Sequence, residues 1–463
     1  MFDRNIYIAR RDHLRAEVKS GLALFLGNEE SPMNYADNTY HFRQDSSFLY
    51  FFGLDFAGLA GVVDLDEGTD TIYGNDLTVE DFVWMGPQPT IGERAAKAGV
   101  MRTGTIAQLE ALLADAQAKK RPVHFLPPYR PENKLKLMNW LGVAPGKAAS
   151  DASVELIRSV VEMRAVKGVE EIAELDKAVN VSVDMHIAAM RMVKPGVTEA
   201  EVAAVVHRMA LAVGGDLAFP IIATVHGETL HNHYHGNMLK SGQMFLLDAG
   251  AETALHYAGD LSSTMPVDPK FTERQKDIYR ITLAAHEAAK RALKPGVAHR
   301  EVHLLACKTI ALGLKDLGLM KGDVDEAVHQ GAHALFFPCG EGHMMGLDVH
   351  DMEDLGEVYV GYEGKPKSTQ FGLKSLRLAR PLRPGFVLTV EPGIYFIPQL
   401  IDQWRAERRL TDFLDYDRIE AWKDFGGIRN EENALITEDG HRILGKKKPL
   451  TIEEVESVPR VVS

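Results

Sequence analysis

The chain of 463 residues repeats part of itself after about 100 residues, and this repeat restricts its possible folds more than any other feature. The segment VKPGVTEAEV at residues 193–202 returns as LKPGVAHREV at residues 293–302. Each copy predicts a helix, a Lys-Pro-Gly turn and a second helix. In the first copy, Thr198 and Glu201 form the sequence signature of a capping box. We therefore expect this region to consist of two related halves.

The correspondence continues beyond the helices, into runs that end on a carboxylate. SGQMFLLDAG resembles PGFVLTVEPG, and a glycine precedes the carboxylate by the same step in both, as Gly242 before Asp248 and Gly385 before Glu391. The shorter strings AFPII and LFFPCG, and then LHN and VHD, match in the same order. Matches that keep one order indicate duplication rather than chance. We expect the strand-end carboxylates of both halves to meet near a pseudo-two-fold axis.

Residues 1–153 precede the repeat and are predicted to form a separate α/β domain. Short apolar or β-branched runs bounded by Gly, Asp and Asn are typical of strands, and such runs lie at 21–26, 48–53, 60–65, 71–74 and 122–128. Residues 107–120 are predicted to form a helix. The Pro- and Gly-containing stretch 141–153 is the predicted linker to a second domain at 154–463.

Composition and charge disfavour several classes of function. Hydrophobic residues make up 45% of the chain and charged residues 25%, as in globular proteins. With a net charge of −13 and no basic stripe, no nucleic-acid partner is expected. The two cysteines, Cys307 and Cys339, are too few for a disulfide framework and fit a reducing compartment. The sequence shows no signal peptide and no apolar span, so we expect a cytoplasmic protein with no membrane partner.

The aspartates of the first half pose a physical problem. The apolar run FLL ends on Asp248, and the chain returns to a second carboxylate at Asp260. Several carboxylates that converge in a cleft cannot all stay ionised without a counter-charge, and a pair of divalent metal ions supplies one. The candidate ligands are mostly oxygens with one imidazole, which suits manganese, cobalt or magnesium and permits zinc. They are Asp248, Asp260, His343, Glu391 and one of Glu431 and Glu432.

Each of these residues also has a purely structural interpretation. Asp248 followed by Ala-Gly is typical of a turn, and Glu391-Pro-Gly of a surface turn. Asp260 could cap a helix or a turn, and His343 could be a hydrogen-bonded core histidine. A further alternative is a metal site in the histidine cluster His231, His233 and His235, although such a cluster on an exposed loop is more often solvated. The residues alone leave these alternatives open. The repeat links the candidates to one another, and this favours a shared metal site over separate structural roles.

Four motifs resemble the metal motifs of the pita-bread metallopeptidases, namely LLDAG with YAGD, GHMMGLDVHD, TVEPGIYF and GIRNEEN. They are most similar to the aminopeptidase P and prolidase branch, rather than to methionine aminopeptidase. NYADNTYHFRQDSSFLYFFG at 34–53 is similar to the N-terminal domain of aminopeptidase P, so the resemblance spans nearly the whole chain. It implies an α/β N-terminal domain plus an α+β pita-bread C-terminal domain with duplicated halves.

The resemblance also implies a set of metal ligands. The five ligands would be Asp248, Asp260, His343, Glu391 and Glu431. Glu431 fits better than Glu432 because the family ligand lies two residues after an arginine, here Arg429. The ligands would hold two divalent metal ions, Mn²⁺ first and Co²⁺ or Zn²⁺ as alternatives.

The remaining site residues take their roles from the same resemblance. His231 and His350 would contact the substrate and stabilise the tetrahedral intermediate, and Glu391 would shuttle the proton. Arg377 matches the prolidase arginine that holds the substrate carboxylate, and Arg429 is placed with it among the substrate-binding residues. The family mechanism implies that a hydroxide bridging the two metal ions attacks the scissile carbonyl.

The implied activity is hydrolysis of the Xaa-Pro bond at the N-terminus of proline-containing peptides. The N-terminal stretch favours an Xaa-Pro aminopeptidase, which we place first, whereas Arg377 and the insert after EPGIYFI favour an Xaa-Pro dipeptidase. A non-catalytic pita-bread binding protein and a metal-free hydrolase of the creatinase type are disfavoured, because all five ligands are present. The family also implies a homo-dimer or homo-tetramer, in which the N-terminal domain of one subunit helps to close the cleft of another.

The chain departs from the family pattern at two points. Cys339 in FPCG stands where the family usually has a histidine near the site, which we expect to affect activity, metal preference or substrate binding. The connection between Asp248 and Asp260 carries one residue more than usual, and we expect a bulge to absorb it.

Overall fold

A computed structural model describes residues 1–460, whose contacts divide the chain into two compact units. The first unit consists of Met1–Arg164 with Met352–Tyr359, and the second of Ala165–Asp351 with the chain from Val360 onward. The first unit continues past the predicted boundary after residue 153, and that boundary stays a prediction. Among the described residues, no helix combines the length and the apolar character needed to cross a membrane.

A five-stranded mixed sheet forms the centre of the first unit, in the strand order β4-β3-β2-β1-β5. Neighbours β1 and β2, and β2 and β3, are antiparallel, whereas β1 with β5 and β3 with β4 are parallel. The strands are Leu22–Leu26 (β1), Ala60–Asp64 (β2), Thr69–Tyr73 (β3), Arg102–Gly104 (β4) and Val123–Phe125 (β5). The strands predicted at 21–26, 60–65, 71–74 and 122–128 are thus confirmed.

Helices accompany this sheet. They are Arg4–Glu17 (α1), Ser46–Phe52 (α2), Val79–Met85 (α3), Ile91–Lys97 (α4), Ile106–Ala118 (α5), Pro131–Leu141 (α6) and Val154–Ala165 (α7), with a 3₁₀ turn at Pro145–Lys147. The helix predicted at 107–120 is confirmed as α5, whose N-terminus is closed by a capping box between Thr105 and Gln108.

The prediction of a strand at 48–53 is wrong, because these residues belong to helix α2. The carboxylate of Asp45 accepts a hydrogen bond from the backbone N–H of Phe48 at 2.9 Å, and Gly53 ends the helix with a left-handed φ of 63°. Every residue of α2 is buried, so its continuous apolar run has the appearance of a buried strand. The flanking Asp45 and Gly53 are the local signals that indicate a helix.

In the second unit, two helix pairs show the predicted repeat. They are Val169–Met192 (α8) with Glu199–Leu211 (α9), and Glu273–Ala292 (α10) with His299–Asp316 (α11). Gly196 and Gly296, which lie between the helices of each pair, have φ values of 90° and 83°. Gly196 donates to the carbonyl of Leu239 at 2.9 Å, and Gly296 donates to that of Leu382 at 2.8 Å. The two halves therefore share their turn, its left-handed glycine and its anchoring hydrogen bond.

Each helix pair is followed by a three-stranded sheet, with the orders β10-β8-β7 and β11-β14-β15, and the remaining strands of this unit form the two-stranded sheets β6-β9 and β12-β13. The strands are Asp216–Leu217 (β6), Ile222–Thr224 (β7), Met244–Ala249 (β8), Ala251–Glu252 (β9), Leu261–Pro266 (β10), Val387–Val390 (β11), Gly393–Tyr395 (β12), Gly427–Arg429 (β13), Glu432–Ile436 (β14) and His441–Ile443 (β15). Strands β8, β10 and β11 are buried along their whole length, which places their ends in the core of the unit.

Shorter helices connect these parts of the chain. They are Val324–His329 (α12), Glu357–Val360 (α13), Pro398–Ala406 (α14), Tyr416–Glu420 (α15) and Ile452–Ser457 (α16), with 3₁₀ turns at Ala332–Leu335, Glu353–Leu355 and Leu373–Ser375.

The capping box predicted at the start of α9 is confirmed and provides a test of the local structure. The backbone N–H of Thr198 donates to Glu201 Oε2 at 2.8 Å, and the backbone N–H of Glu201 donates to Thr198 Oγ1 at 3.2 Å. We expect Thr198→Ala to lower the free energy of unfolding by about 1 kcal/mol, because it removes the acceptor for an orphan N–H. Urea denaturation measures this change. Glu201→Gln is the matched control, since glutamine also completes a capping box, and equal losses for both variants would contradict the assignment.

Candidate active site

A cavity of about 560 Å³ lies in the second unit, where the strand ends of both halves converge. All nine residues that the sequence places in the site line this one cavity: His231, Asp248, Asp260, His343, His350, Arg377, Glu391, Arg429 and Glu431. In the antiparallel pair of β8 and β10, Ser262 lies opposite Asp248, so the two aspartates of the first half lie at the same end of the sheet.

His343 lies at the centre of a group of carboxylates. Its Nε2 is 3.3 Å from Asp260 Oδ2 and 3.5 Å from Glu391 Oε1. One ligand atom each of Asp260, His343 and Glu431 lie within 4.8 Å of one another. The Nδ1 of His343 is 3.0 Å from the carbonyl oxygen of Met344 and therefore carries the proton of the neutral ring. This tautomer leaves the Nε2 lone pair directed at the carboxylates, as a metal ligand requires.

Arg429 is buried and bonds to three residues around the carboxylates. Its Nε donates to Ser262 Oγ at 2.8 Å, one Nη donates to the hydroxyl of Tyr395 at 2.9 Å, and the other donates to Asp248 Oδ2. Asp248 is thereby fixed in orientation by the arginine. These contacts support a positioning role, and the predicted role of Arg429 in substrate binding stays a prediction.

Two uncharged residues that the sequence reasoning missed orient two more of the predicted ligands, Glu431 and Asp260. Ser262 Oγ donates to Glu431 Oε2 at 2.7 Å while it accepts from Arg429. The side chain of Asn433 accepts from the backbone N–H of Asp260 at 3.1 Å and donates to its carbonyl oxygen. Ser262 lies two residues after Asp260, so the two-residue period of a strand was the available signal.

The carboxylates of this cavity are buried and repel one another. Burial raises the pKa of Asp260 and of Glu431 well above the ordinary values, and the neighbouring carboxylates raise both further. Burial also raises the pKa of Asp248, although the charge of Arg429 opposes the shift. One arginine thus faces several carboxylates, and divalent cations are the natural counter-charge.

The donor atoms suit such cations. Asp248 Oδ1 and Glu431 Oε1 are buried and have no hydrogen-bond partner among residues 1–460. An uncompensated buried oxygen is costly, whereas a hard divalent ion takes carboxylate oxygens as ligands. With Glu391 and the Nε2 of His343, these oxygens form a set that fits a dinuclear divalent centre.

Two further imidazoles lie beside this centre. The ring of His350 lies 4.2 Å from that of His343, at an interplanar angle of 66°. Partial desolvation and the charge of Arg429 lower the pKa of His231, while Asp248 opposes the shift. His231 is therefore neutral at neutral pH. The other two members of the histidine cluster differ in their surroundings: His233 lines the cavity, whereas His235 contacts the carbonyl of Ile221 at 3.0 Å.

Comparison with known proteins agrees with this geometry. The model of "Metallopeptidase family M24" matches residues 173–438, and that of "Aminopeptidase P, N-terminal domain" matches residues 7–124. The chain belongs to metallopeptidase family M24. Family membership makes the chain a hydrolase and implies a dinuclear divalent metal centre. The predicted fold, an α/β N-terminal domain plus an α+β pita-bread domain with duplicated halves, is confirmed.

Relatives across the M24 family cover nearly the whole chain. The human Xaa-Pro dipeptidase is 30% identical over 461 residues, which cover 95% of this chain and 89% of the human protein. A probable Xaa-Pro aminopeptidase of Sordaria macrospora is 29% identical over 459 residues, or 96% of this chain and 93% of that protein. The structure of Escherichia coli aminopeptidase P with the inhibitor Pro-Leu is similar with a TM-score of 0.79 and 27% identity, covering 99% of this chain and 98% of that one.

The first departure from the M24 pattern, Cys339, lies in the wall of the cavity. The surrounding protein desolvates its thiol and raises the pKa of Cys339 to about 12, with Glu391 acting in the same direction. Cys339 is therefore a neutral thiol beside the predicted metal ligands. It offers only a weak S–H donor where an imidazole would offer a strong N–H.

A second unusual residue, Glu341, was not singled out from the sequence. Its side chain is fully buried, and neither carboxylate oxygen has a hydrogen-bond partner in the described part of the chain. Burial raises the pKa of Glu341 well above its ordinary value, and Glu391 and Glu431 raise it further. Glu341 thus lies close to two of the predicted ligands, and its place in GEGHMMG, two residues before His343, was the available signal.

The extra residue between Asp248 and Asp260 is accommodated in the connection. Strands β8 and β10 pair without interruption from Ala249 with Leu261 to Met244 with Pro266, so no bulge forms in their ladder. The connection closes through a hydrogen bond from the N–H of Thr253 to the carbonyl of Tyr257 at 3.0 Å, and His256 between them takes a left-handed φ of 65°. The N–H of His256 also donates to the carbonyl of Thr253 at 2.8 Å, so both His256 and Tyr257 face Thr253, and the expected bulge lies in this three-residue turn.

Asp260 offers a direct test of the metal centre. We expect Asp260→Asn to weaken Mn²⁺ binding by roughly tenfold or more, since changes outside the ligand shell already cost this much in metal sites. Equilibrium dialysis with metal analysis by atomic emission measures the affinity and stoichiometry. Asp439→Asn, in an exposed turn, removes the same charge elsewhere and should leave both unchanged. Equal Mn²⁺ affinity in the two variants would contradict the role of Asp260.

Proposed function

We propose that this chain hydrolyses the Xaa-Pro bond at the N-terminus of proline-containing peptides, as an Xaa-Pro aminopeptidase. The observation that carries the proposal is that one cavity collects the proposed metal-ligand set together with the imidazoles of His231 and His350 and the guanidinium of Arg377. Relatives named Xaa-Pro dipeptidase and Xaa-Pro aminopeptidase support the substrate class, as does a structural neighbour with the inhibitor Pro-Leu.

Five residues would hold the metal pair: Asp248, Asp260, His343, Glu391 and Glu431. When bound, two divalent ions lower the pKa of a water molecule and polarise the scissile carbonyl. Mn²⁺ is our first choice because the donors are mostly carboxylate oxygens, and Co²⁺ or Zn²⁺ are the alternatives.

The side chains of the cavity would perform the proton transfers and hold the substrate. Thr389 Oγ1 donates to Glu391 Oε1 at 3.1 Å, which orients this carboxylate to accept a proton from water and pass it to the leaving nitrogen. The neutral His231 and the neighbouring His350 would donate hydrogen bonds to the oxygen that gains charge. Phe219 and Phe371 give the cavity an apolar wall against which a proline ring can pack.

The dipeptidase is the second candidate, and Arg377 is the observation that favours it. Arg377 lines the same cavity and contributes to the lowered pKa of His231, so its charge lies near the substrate site. A guanidinium can hold the carboxylate of a dipeptide in bidentate fashion. The match of the N-terminal domain to aminopeptidase P favours the first candidate.

We also propose a cytoplasmic location and a homo-oligomeric assembly. The two cysteines are free thiols, which is compatible with a cytoplasmic location. A homo-dimer or homo-tetramer remains our prediction for the assembly, and light scattering of the active protein tests it.

The function is tested by stripping the protein of metal, adding Mn²⁺ and offering Ala-Pro beside a longer peptide that begins with Ala-Pro. We expect release of the N-terminal alanine from the longer peptide, detected by mass spectrometry. Cleavage of the dipeptide alone would establish the dipeptidase. Failure to cut either peptide, while a peptide without proline is cut, would overturn the proposed specificity.

The role of Arg377 is tested by Arg377→Met. If Arg377 holds a substrate carboxylate, the loss of a charged hydrogen bond of about 1.5–3 kcal/mol should raise KM for Ala-Pro roughly tenfold to hundredfold. The matched substrate is Ala-Pro amide, which lacks the carboxylate and should show an unchanged KM. Equal effects on both substrates would show that Arg377 acts on the site in another way.

A further inference from the structure

A second group of potential metal ligands lies in the core of the C-terminal unit, apart from the residues that line the cavity. His303 and Cys307 lie on α11, and His333 lies on the 3₁₀ turn Ala332–Leu335. All three residues have 0% exposure. One ligand atom from each lies within 4.8 Å of the other two, and His303 Nε2 is 3.4 Å from Cys307 Sγ.

The local fold explains why these side chains meet. His303 and Cys307 are four residues apart on a helix and therefore lie on one face. Helix α11 packs against the turn that carries His333, and Gly331 at φ 84° begins that turn. Two ligands one helical turn apart, completed by a third from another segment, is a common arrangement in zinc sites.

The hydrogen bonding of the group is incomplete without a further partner. No group within the described residues meets hydrogen-bond geometry with His303 Nδ1 or with either ring nitrogen of His333, although the carbonyl of Val328 lies close enough to raise the pKa of His333 slightly. Buried histidines elsewhere in the unit differ in this respect: His186 contacts Ser263 Oγ at 2.9 Å and the carbonyl of Ala249 at 3.0 Å, whereas neither ring nitrogen of His286 has a hydrogen-bond partner in the described part of the chain. A buried imidazole N–H or lone pair without a partner costs free energy, so a core that needed only volume here would be better filled by apolar side chains.

The protonation states suit metal binding. Burial lowers the pKa of His333 to about 4, which the carbonyl of Val328 offsets only in part, and burial lowers the pKa of His303 as well. Both rings are therefore neutral and can ligate a metal. Burial raises the pKa of the Cys307 thiol, so a metal ion must displace its proton on binding.

We propose that His303, Cys307 and His333 form a third metal site, separate from the dinuclear centre, which binds a zinc ion. Two imidazoles and a thiolate are a borderline-to-soft set that suits zinc, unlike the oxygen-rich cavity. Zinc bond lengths of about 2.3 Å to sulfur and about 2.0 Å to nitrogen require the two ligands to lie about 3.5 Å apart in a tetrahedral site, close to the observed 3.4 Å.

The site leaves a fourth coordination position. In zinc sites with three protein ligands, a water molecule takes this position.

The test uses the full chain, with Cys339→Ser as the matched control for Cys307→Ser. The protein is stripped of metal, the dinuclear centre is filled with Mn²⁺, and Zn²⁺ or the spectroscopic probe Co²⁺ is then added. We expect the wild-type protein to bind one Zn²⁺ per chain more than Cys307→Ser does and, with Co²⁺, to show a thiolate-to-cobalt charge-transfer band in the near ultraviolet. Both should persist in Cys339→Ser and disappear in Cys307→Ser.

Two results would overturn the proposal. One is the absence of the band in the wild-type protein, and the other is a band that depends on Cys339 instead, which would place the thiolate ligand in the cavity. Because Cys307→Ser could impair folding, X-ray absorption of the zinc-loaded wild-type protein provides a second measurement. We expect a sulfur scatterer at about 2.3 Å from zinc, and a spectrum without sulfur would refute the site.

Discussion

The contact between Arg429 and Asp248 connects the two halves of the repeat through buried charge. Arg429 ends β13 in the second half, whereas Asp248 and Ser262 belong to the paired strands β8 and β10 of the first. A buried guanidinium needs several acceptors, and it finds them on both halves, with Tyr395 as the third. The positions of the carboxylates depend on this contact, because it fixes Asp248 directly and reaches Glu431 through Ser262.

Duplication explains why the cavity has paired groups, and divergence explains why they are not equivalent. His231 and His350 come from the matching strings LHN and VHD, and both line the cavity. Asp248 and Glu391 occupy matching places after Gly242 and Gly385, which both have a φ of 85°. The shorter carboxylate is bound by an arginine and the longer one accepts from a threonine hydroxyl, so the same backbone position serves different chemistry in each half.

Much of the architecture could be predicted because it depends on local signals. The repeat, the capping box at Thr198 and most strands of the first unit follow from periodicity and from turn residues. The helix α2 could not be separated from a strand by its apolar run alone, since full burial removes the periodicity on which the distinction rests.

The site shows the same division between local and long-range information. Carboxylates, arginines and histidines in recognisable motifs could be found from the sequence, and all nine line the cavity. The role of Asn433 could not be found in this way, because it comes from a partner far away in the chain, the backbone of Asp260. An uncharged side chain carries no sign of such a partner in its own sequence neighbourhood.

The distribution of the ligands over the two halves has a consequence for thermodynamics. Asp248 and Asp260 come from one half, and His343, Glu391 and Glu431 from the other. If these residues hold the metal pair, the pair is bound only while the halves are docked, so its binding free energy becomes part of the free energy that holds them together. The melting temperature of the protein would then rise with the concentration of free metal, and a chelator would destabilise the fold as well as inhibit the enzyme.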